Sequence, residues 1–296
     1  MREFFLSERK IGYVFVAPAL IVIALVALYP ALNVLWLSLH HRMLLFDINE
    51  FVGLDNFIFL FKDSRFWNAL WNTVYFTGVS VALELLLGLA FALILHRSFR
   101  GRGLMRAIVL VPWAIPTVVS AKMWDWMYNP EFGVINHAFK SLGIVADNVN
   151  WLGNPFWALH AAIAVDVWKT TPFVALLLLA GLQVIPHEVY EAGKIDGVSR
   201  WQAFRRITLP LLKPVILIVL LFRTLDAFRV FDVVYVLTNG GPADTSETLS
   251  IYAYKLLFTT LQFGYGSSVA VVVFLCVLTL SFLYIRFLRR DVGSFV

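Results

Sequence analysis

Charge is scarce in this 296-residue chain: Asp, Glu, Lys and Arg together supply 15% of it, against 60% hydrophobic residues. Soluble domains run nearer a quarter charged, so a water-soluble enzyme is not the expectation. Cysteine is all but missing, and the lone Cys276 excludes an intrachain disulfide and a multi-cysteine metal site. The histidines do not compensate. His40 and His41 are adjacent and His96, His137, His160 and His187 are scattered, with no H-E-x-x-H or i, i+4 pair to set two ligands on one helix face.

Catalytic signatures are lacking too. The only Gly-Lys pair, Gly193-Lys194, is followed by Ile195, so no phosphate-cradling G-x-x-x-x-G-K-[ST] loop is present. Gly101-Arg102-Gly103 begins like a dinucleotide fingerprint but reaches Arg106 where the third glycine belongs, and it reads as a basic turn. No G-x-S-x-G elbow marks an activated serine. The chain is therefore expected to be no enzyme, to bind no metal and no cofactor of its own, and to draw any driving energy from elsewhere.

What the sequence does hold is long apolar runs, at 11–39, 68–95, 107–127, 156–185, 214–238 and 264–285. Each exceeds the ~20 residues a helix needs to cross a bilayer core, and none shows the alternation of a barrel strand. The expectation is an all-α polytopic membrane protein, a single domain over 1–296 with six spanning helices. Pro18 and Pro30 sit inside the first run, which is too long for a signal sequence.

Basic residues sort by side. Fifteen flank the ends that the termini share: Arg2, Arg9 and Lys10, four in 96–106, five in 186–213, and three from Arg286 on. Five lie in the opposite loops 40–67, 128–155 and 239–263. The positive-inside rule then places both termini in the cytoplasm. Trp36, Trp67, Trp71, Trp124, Trp126, Trp151 and Trp157 fall at the expected outer boundary, where amphipathic rings prefer to sit. The net charge of +5 does not imply nucleic acid, because the cations hug the spanning runs; attraction to anionic membrane lipid explains them.

Ionisable groups inside spanning helices cost about 2.5 kcal/mol or more each, and need a partner or a wet cavity. Segment four carries Asp166 and Lys169; segment five carries Arg223, Asp226, Arg229 and Asp232, at spacings of three that let neighbours of opposite sign pair. Asp166 and Arg223 fall near the midplane. Either these helices line a hydrated route for a polar solute, or the charges form a salt-bridge ladder between helices. Thr170 and Phe173 on the same stretch offer a hydroxyl and an aromatic platform. Glu84 reads as a buried hydrogen-bonding group without a special role, and Lys122 with Asp125 as an interfacial pair.

Residues 186–213 are too patterned for a tether. Pro186, Glu188 and Glu191 suit a helix start and Gly197 a stop, predicting a helix over 187–195. Ser199 and Gln202 make an S-x-x-Q capping box for a second helix ending at Pro210. Small Ala192 and Gly193, flanked by Glu191, Lys194 and Arg200, suit close approach by a partner backbone; an interfacial helix resting on headgroups fits as well.

Glu191-Ala192-Gly193, three residues, Gly197, nine residues, then Ile207-Thr208-Leu209-Pro210 resembles the EAA motif of permease subunits of binding-protein-dependent ABC importers, with Gly193 where alanine is usual. Phe51-Val52-Gly53-Leu54-Asp55-Asn56-Phe57, Arg100-Gly101-Arg102-Gly103-Leu104, Asn129-Pro130-Glu131-Phe132-Gly133 and Leu237-Thr238-Asn239-Gly240-Gly241-Pro242 are similar to the maltose-permease, sugar-type branch. Trp168–Phe173 and Phe222–Arg229 look most like subunits importing trehalose or maltose.

The resemblance implies a type I ABC importer permease fold in a bacterial or archaeal cytoplasmic membrane. It implies solute-lining positions at Asp166, Lys169, Thr170, Phe173, Arg223 and Ala227, and a coupling helix bearing Glu191, Ala192, Gly193, Asp196 and Gly197. Its implied partners are a second homologous permease, two cytosolic ATPase subunits that bind ATP and Mg, an extracytoplasmic solute-binding protein and a sugar. The alternative reading is an ion-coupled secondary transporter using Asp166 and Asp226 as proton or cation carriers.

Overall fold

The structure, a computed structural model, describes residues 8–292, and side chains from 12 to 287. Helices dominate: α1 (Glu8–Ile23), α2 (Tyr29–Ser38), α3 (Asp55–Lys62), α4 (Ser64–His96), α5 (Arg102–Ala114), α6 (Thr117–Met127) and α7 (Val134–Ser141) occupy the first half. Then follow α8 (Trp157–Val184), α9 (His187–Ile195), α10 (Arg200–Ala203), α11 (Leu209–Ala227), α12 (Asp232–Leu237), α13 (Leu249–Tyr254) and α14 (Phe263–Val292). Strands β1 (His40–Met43) and β2 (Ile48–Phe51) form one antiparallel hairpin, pairing His40 with Phe51. The Arg2 and C-terminal Val296 ends lie outside the described residues, as do the side chains of Arg289 and Arg290.

Among the described residues, five helical stretches are long and apolar enough to cross a membrane: Gly12–Ser38, Ser64–His96, Trp157–Val184, Arg200–Ala227 and Phe263–Phe287. The expected third span is different. It is broken into α5 and α6, bent by 91°, because Pro116 forces the preceding Ile115 into extended backbone (ψ 134°) and an α-helix cannot run through that residue.

Two other prolines do not break their helices, contrary to the expectation at Pro210. Just before Pro30 and Pro210 the helix widens by one π turn, at Ala24–Leu28 and Phe204–Thr208, where Tyr29 N–H donates to Ala24 O and Leu209 N–H to Phe204 O. The widened turn removes the clash between the proline ring and the carbonyl four residues back. The fifth span therefore starts at Arg200, well before 214, and stops at Ala227, short of 238. Arg229 and Asp232, expected inside it, lie in the break and at the start of α12, where the Asp232 charge suits the positive end of the helix.

The chain forms two compact units, one from the residues up to Asp63 with Ala253–Val272, the other from Ser64–Tyr252 with the chain from Val273 on. In the first, Asn56 of the Phe51–Phe57 stretch is buried and its Nδ2 donates to Ser38 O (2.8 Å) and His40 O (3.0 Å), closing the end of α2 onto the hairpin. Gly264 lies so close to His40 O that any Cβ would collide with it.

In the second unit α8 is the buried axis, packed on α4, α5, α6, α11 and α12. Gly88 of α4 sits against Val174 of α8, and Gly181 of α8 against Leu212 and Val215 of α11; small residues let apolar helices approach where no hydrophobic drive exists between them. Trp151 is buried within the protein, and its Nε1 donates to Asn136 Oδ1 at 2.9 Å. Trp36, Trp67, Trp71 and Trp126 are exposed.

Candidate functional site

The loop between α8 and α11 folds as its residues dictate. α9 covers His187–Ile195 and ends with Gly197 at φ +74°, a conformation that favours glycine. Asp196 N–H donates to Ala192 O (3.0 Å), Val198 N–H to Gly193 O (2.9 Å) and Gly197 N–H to Lys194 O (3.1 Å), so three carbonyls of the last turn are satisfied. The capping box forms, with Ser199 N–H on Gln202 Oε1 at 2.8 Å and Gln202 N–H on Ser199 Oγ at 3.4 Å.

Glu191, Ala192, Asp196 and Gly197 face outward. Gly193 does not: it is buried, and a Cβ there would stand 3.0 Å from Ile207 Cδ1. Its smallness serves the packing of α9 on the loop's own return segment, and the partner-facing role expected for it is corrected. Glu191 Oε1 also lies 3.2 Å from His187 Nδ1 within α9.

The intramembrane charges converge. Arg223 of α11 donates from Nε to Glu84 Oε2 (2.6 Å) and from Nη2 to Glu84 Oε1 (2.8 Å) and Asp166 Oδ2 (3.1 Å). Its Nη1 donates to Asp226 Oδ2 at 2.6 Å. Thr170 Oγ1 donates to Glu84 Oε1, also at 2.6 Å. Glu84, to which the sequence assigned no special role, is the hub: a single acid in an apolar run shows nothing of its partners, which come from helices 86 and 139 residues away along the chain.

Two adjoining cavities open around this cluster. One, of about 240 Å³, is lined by Asp166, Lys169, Thr170, Asp226, Ala227 and Arg229 together with Trp113, Thr117 and Asp232. The other, of about 410 Å³, is lined by Thr170, Phe173, Arg223, Asp226 and Arg229 with Trp113, Phe222 and Leu225. All eight route residues expected from sequence thus line one or the other.

Sequence reasoning missed Trp113, whose ring stacks on Phe173 (centroids 5.7 Å, interplanar 22°) and whose carbonyl accepts from Lys169 Nζ at 3.4 Å. The break after Ala114 that brings it there carries a signal in Pro116. The expected pairing along segment five holds for Arg223 with Asp226; Arg229 Nε instead donates to Leu225 O at 3.1 Å. Among the described residues no group of three or more His, Cys, Asp or Glu is arranged to hold a metal ion.

Spanning helices enclosing a charged cavity with an aromatic wall define a protein that passes a polar solute through a membrane. Residues 84–293 match the family described as the binding-protein-dependent transport system inner membrane component, and the chain belongs to that family. The trehalose/maltose transport system permease protein of Thermococcus litoralis is 45% identical over 286 residues, 96% of each chain. The trehalose transport system permease protein of Mycobacterium tuberculosis is 39% identical, covering 95% of this chain and 89% of that one. A crystal structure of a bacterial alginate ABC transporter, in complex with an alginate pentasaccharide-bound periplasmic protein, contains a chain of the same fold (TM-score 0.83, 24% identity, 95% and 94% covered).

This is therefore the membrane permease subunit of an ABC importer, and the ion-coupled carrier finds no support.

Proposed function

We propose that the chain is one of two permease subunits of an importer for a neutral sugar, with a disaccharide of the trehalose or maltose type as cargo. The observation that carries this reading is the lining of the two cavities. Asp166, Asp226 and Asp232 line these cavities together with Lys169, Arg223 and Arg229, so donors and acceptors are both abundant. Hydroxyls both donate and accept, and suit such a wall; the Trp113–Phe173 stack offers a flat apolar face for the C–H side of a sugar ring.

The expected partners complete the machine: a second homologous permease, two cytosolic ATPase subunits carrying ATP and Mg, and an extracytoplasmic solute-binding protein. In this reading both termini lie in the cytoplasm of a bacterial or archaeal cell, and α9 is the coupling helix, docking on an ATPase through Glu191, Ala192, Asp196 and Gly197. ATP-driven closure of the ATPases moves α9, and the cavity alternates between outward and inward access.

The test is sugar-stimulated ATP hydrolysis by the reconstituted complex with its binding protein, across trehalose, maltose, monosaccharides and glycerol phosphate. Stimulation by a neutral disaccharide above the others is expected. Stimulation by glycerol phosphate alone, or solute accumulation by the isolated chain on a proton or sodium gradient, would overturn the reading.

A further inference from the structure

We propose that Glu84 is a positioning residue for translocation: it fixes the Arg223 guanidinium and the Thr170 hydroxyl against the cavity, and leaves Asp226 as the ligand that a sugar hydroxyl displaces. This rests on the sugar reading above. Three carboxylates share one guanidinium, and they differ in accessibility: the side chain of Glu84 is 0% exposed, that of Asp166 11% and that of Asp226 67%.

Glu84 makes the two-pronged contact, Nε to Oε2 and Nη2 to Oε1, the geometry in which a guanidinium and a carboxylate set each other's plane. The same Oε1 lies 2.6 Å from Thr170 Oγ1, whose one proton is shared between it and the Asp166 carbonyl, also 2.6 Å away, so one buried carboxylate sets the Arg223 plane from α11 and takes part in placing the Thr170 hydroxyl of α8. Removed from water, that contact is not screened.

Asp226 contacts the opposite nitrogen, Nη1, through a single 2.6 Å bond and stands largely in solvent-accessible space, where an ion pair contributes little. A hydroxyl arriving in the cavity can take over Nη1 while Glu84 keeps Nε and Nη2 in place. Glu84 itself lines neither cavity, so it acts through Arg223 and Thr170 and not on the sugar.

The experiment uses the whole reconstituted complex and reads two quantities: the maximal transport rate, and the concentration of sugar-loaded binding protein that half-saturates it. Sugar-dependent transport by the unaltered complex is the control, and its failure would sink the sugar reading, not the role of Glu84. Glu84→Gln is expected to lower the maximal rate about tenfold with half-saturation unchanged, since docking of the binding protein does not involve this residue.

Glu84→Asp, one methylene short, should fall between Glu84→Gln and the unaltered protein. Asp226→Asn removes a group of the cavity wall and should also slow transport, but by less than Glu84→Gln does. The pair Glu84→Leu with Arg223→Leu removes both buried charges; it should assemble and fail to transport. A normal rate in Glu84→Gln, a heavier loss in Asp226→Asn, or recovery of transport by the double leucine variant would each overturn the proposal. So would failure of every Glu84 variant to assemble, which would make the residue a scaffold.

Discussion

Gly88→Ala is the sharpest probe of the packing that supports the cavity. A Cβ at this position would lie 2.5 Å from Val174 Cγ1, 2.9 Å from Val174 Cβ and 3.2 Å from Ala175 N, where carbon contacts normally sit at about 3.5–4.0 Å. α4 and α8 must then part by roughly 1 Å, an overpacking strain on the order of 2 kcal/mol. Val174→Ala alone costs about 1–1.5 kcal/mol through lost packing, but in combination it removes the nearest clash. The double variant should be less damaged than the two losses added, with a coupling near 1 kcal/mol.

The site is one turn away. Glu84 precedes Gly88 by four residues and Thr170 precedes Val174 by four, so widening the helix pair here stretches the 2.6 Å Thr170–Glu84 bond. The assay is a thermal unfolding comparison of the purified complex for both single variants and the double, with transport measured in parallel. A Gly88→Ala complex as stable and active as the unaltered one, or strictly additive losses, would refute the close-approach argument.

Three further outcomes are expected. Gly197→Asp puts a side chain at φ +74° and Glu191→Lys reverses a charge on the outward face of α9; each should abolish uptake while membrane insertion, read by fractionation, stays normal. Arg65→Met removes the half-exposed cation now 2.7 Å from Glu247; a loss of about 1.5–3 kcal/mol is expected, seen as faster proteolysis of the 238–248 loop. Phe173→Leu removes the stack on Trp113, about 0.5–1.5 kcal/mol, and should slow transport up to about tenfold without changing assembly.

The spans were largely legible because a long apolar run is a local signal. The third span and the start of the fifth departed from expectation at prolines, whose effect depends on what the preceding turn does; the stop at Ala227 has no proline near it. Pro116 ends α5 by extending Ile115, while Pro30 and Pro210 ride on π turns that no residue pattern announces. The cavity wall was legible as well, since a charge in an apolar helix is conspicuous alone. Its partners were not: Glu84 looks identical whether it meets a carbonyl or an arginine, and Gly193 reads as an outward docking point until Ile207 folds back over it.

The π turn before Pro210 makes Arg200–Ala227 one unbroken helix. At 1.5 Å per residue, Arg200 and Arg223 are then about 35 Å apart along a single stiff axle. A swing of about 10° at its lower end would carry the guanidinium roughly 6 Å sideways, about the width of a sugar ring. A hinge at Pro210 would have absorbed that swing before it arrived.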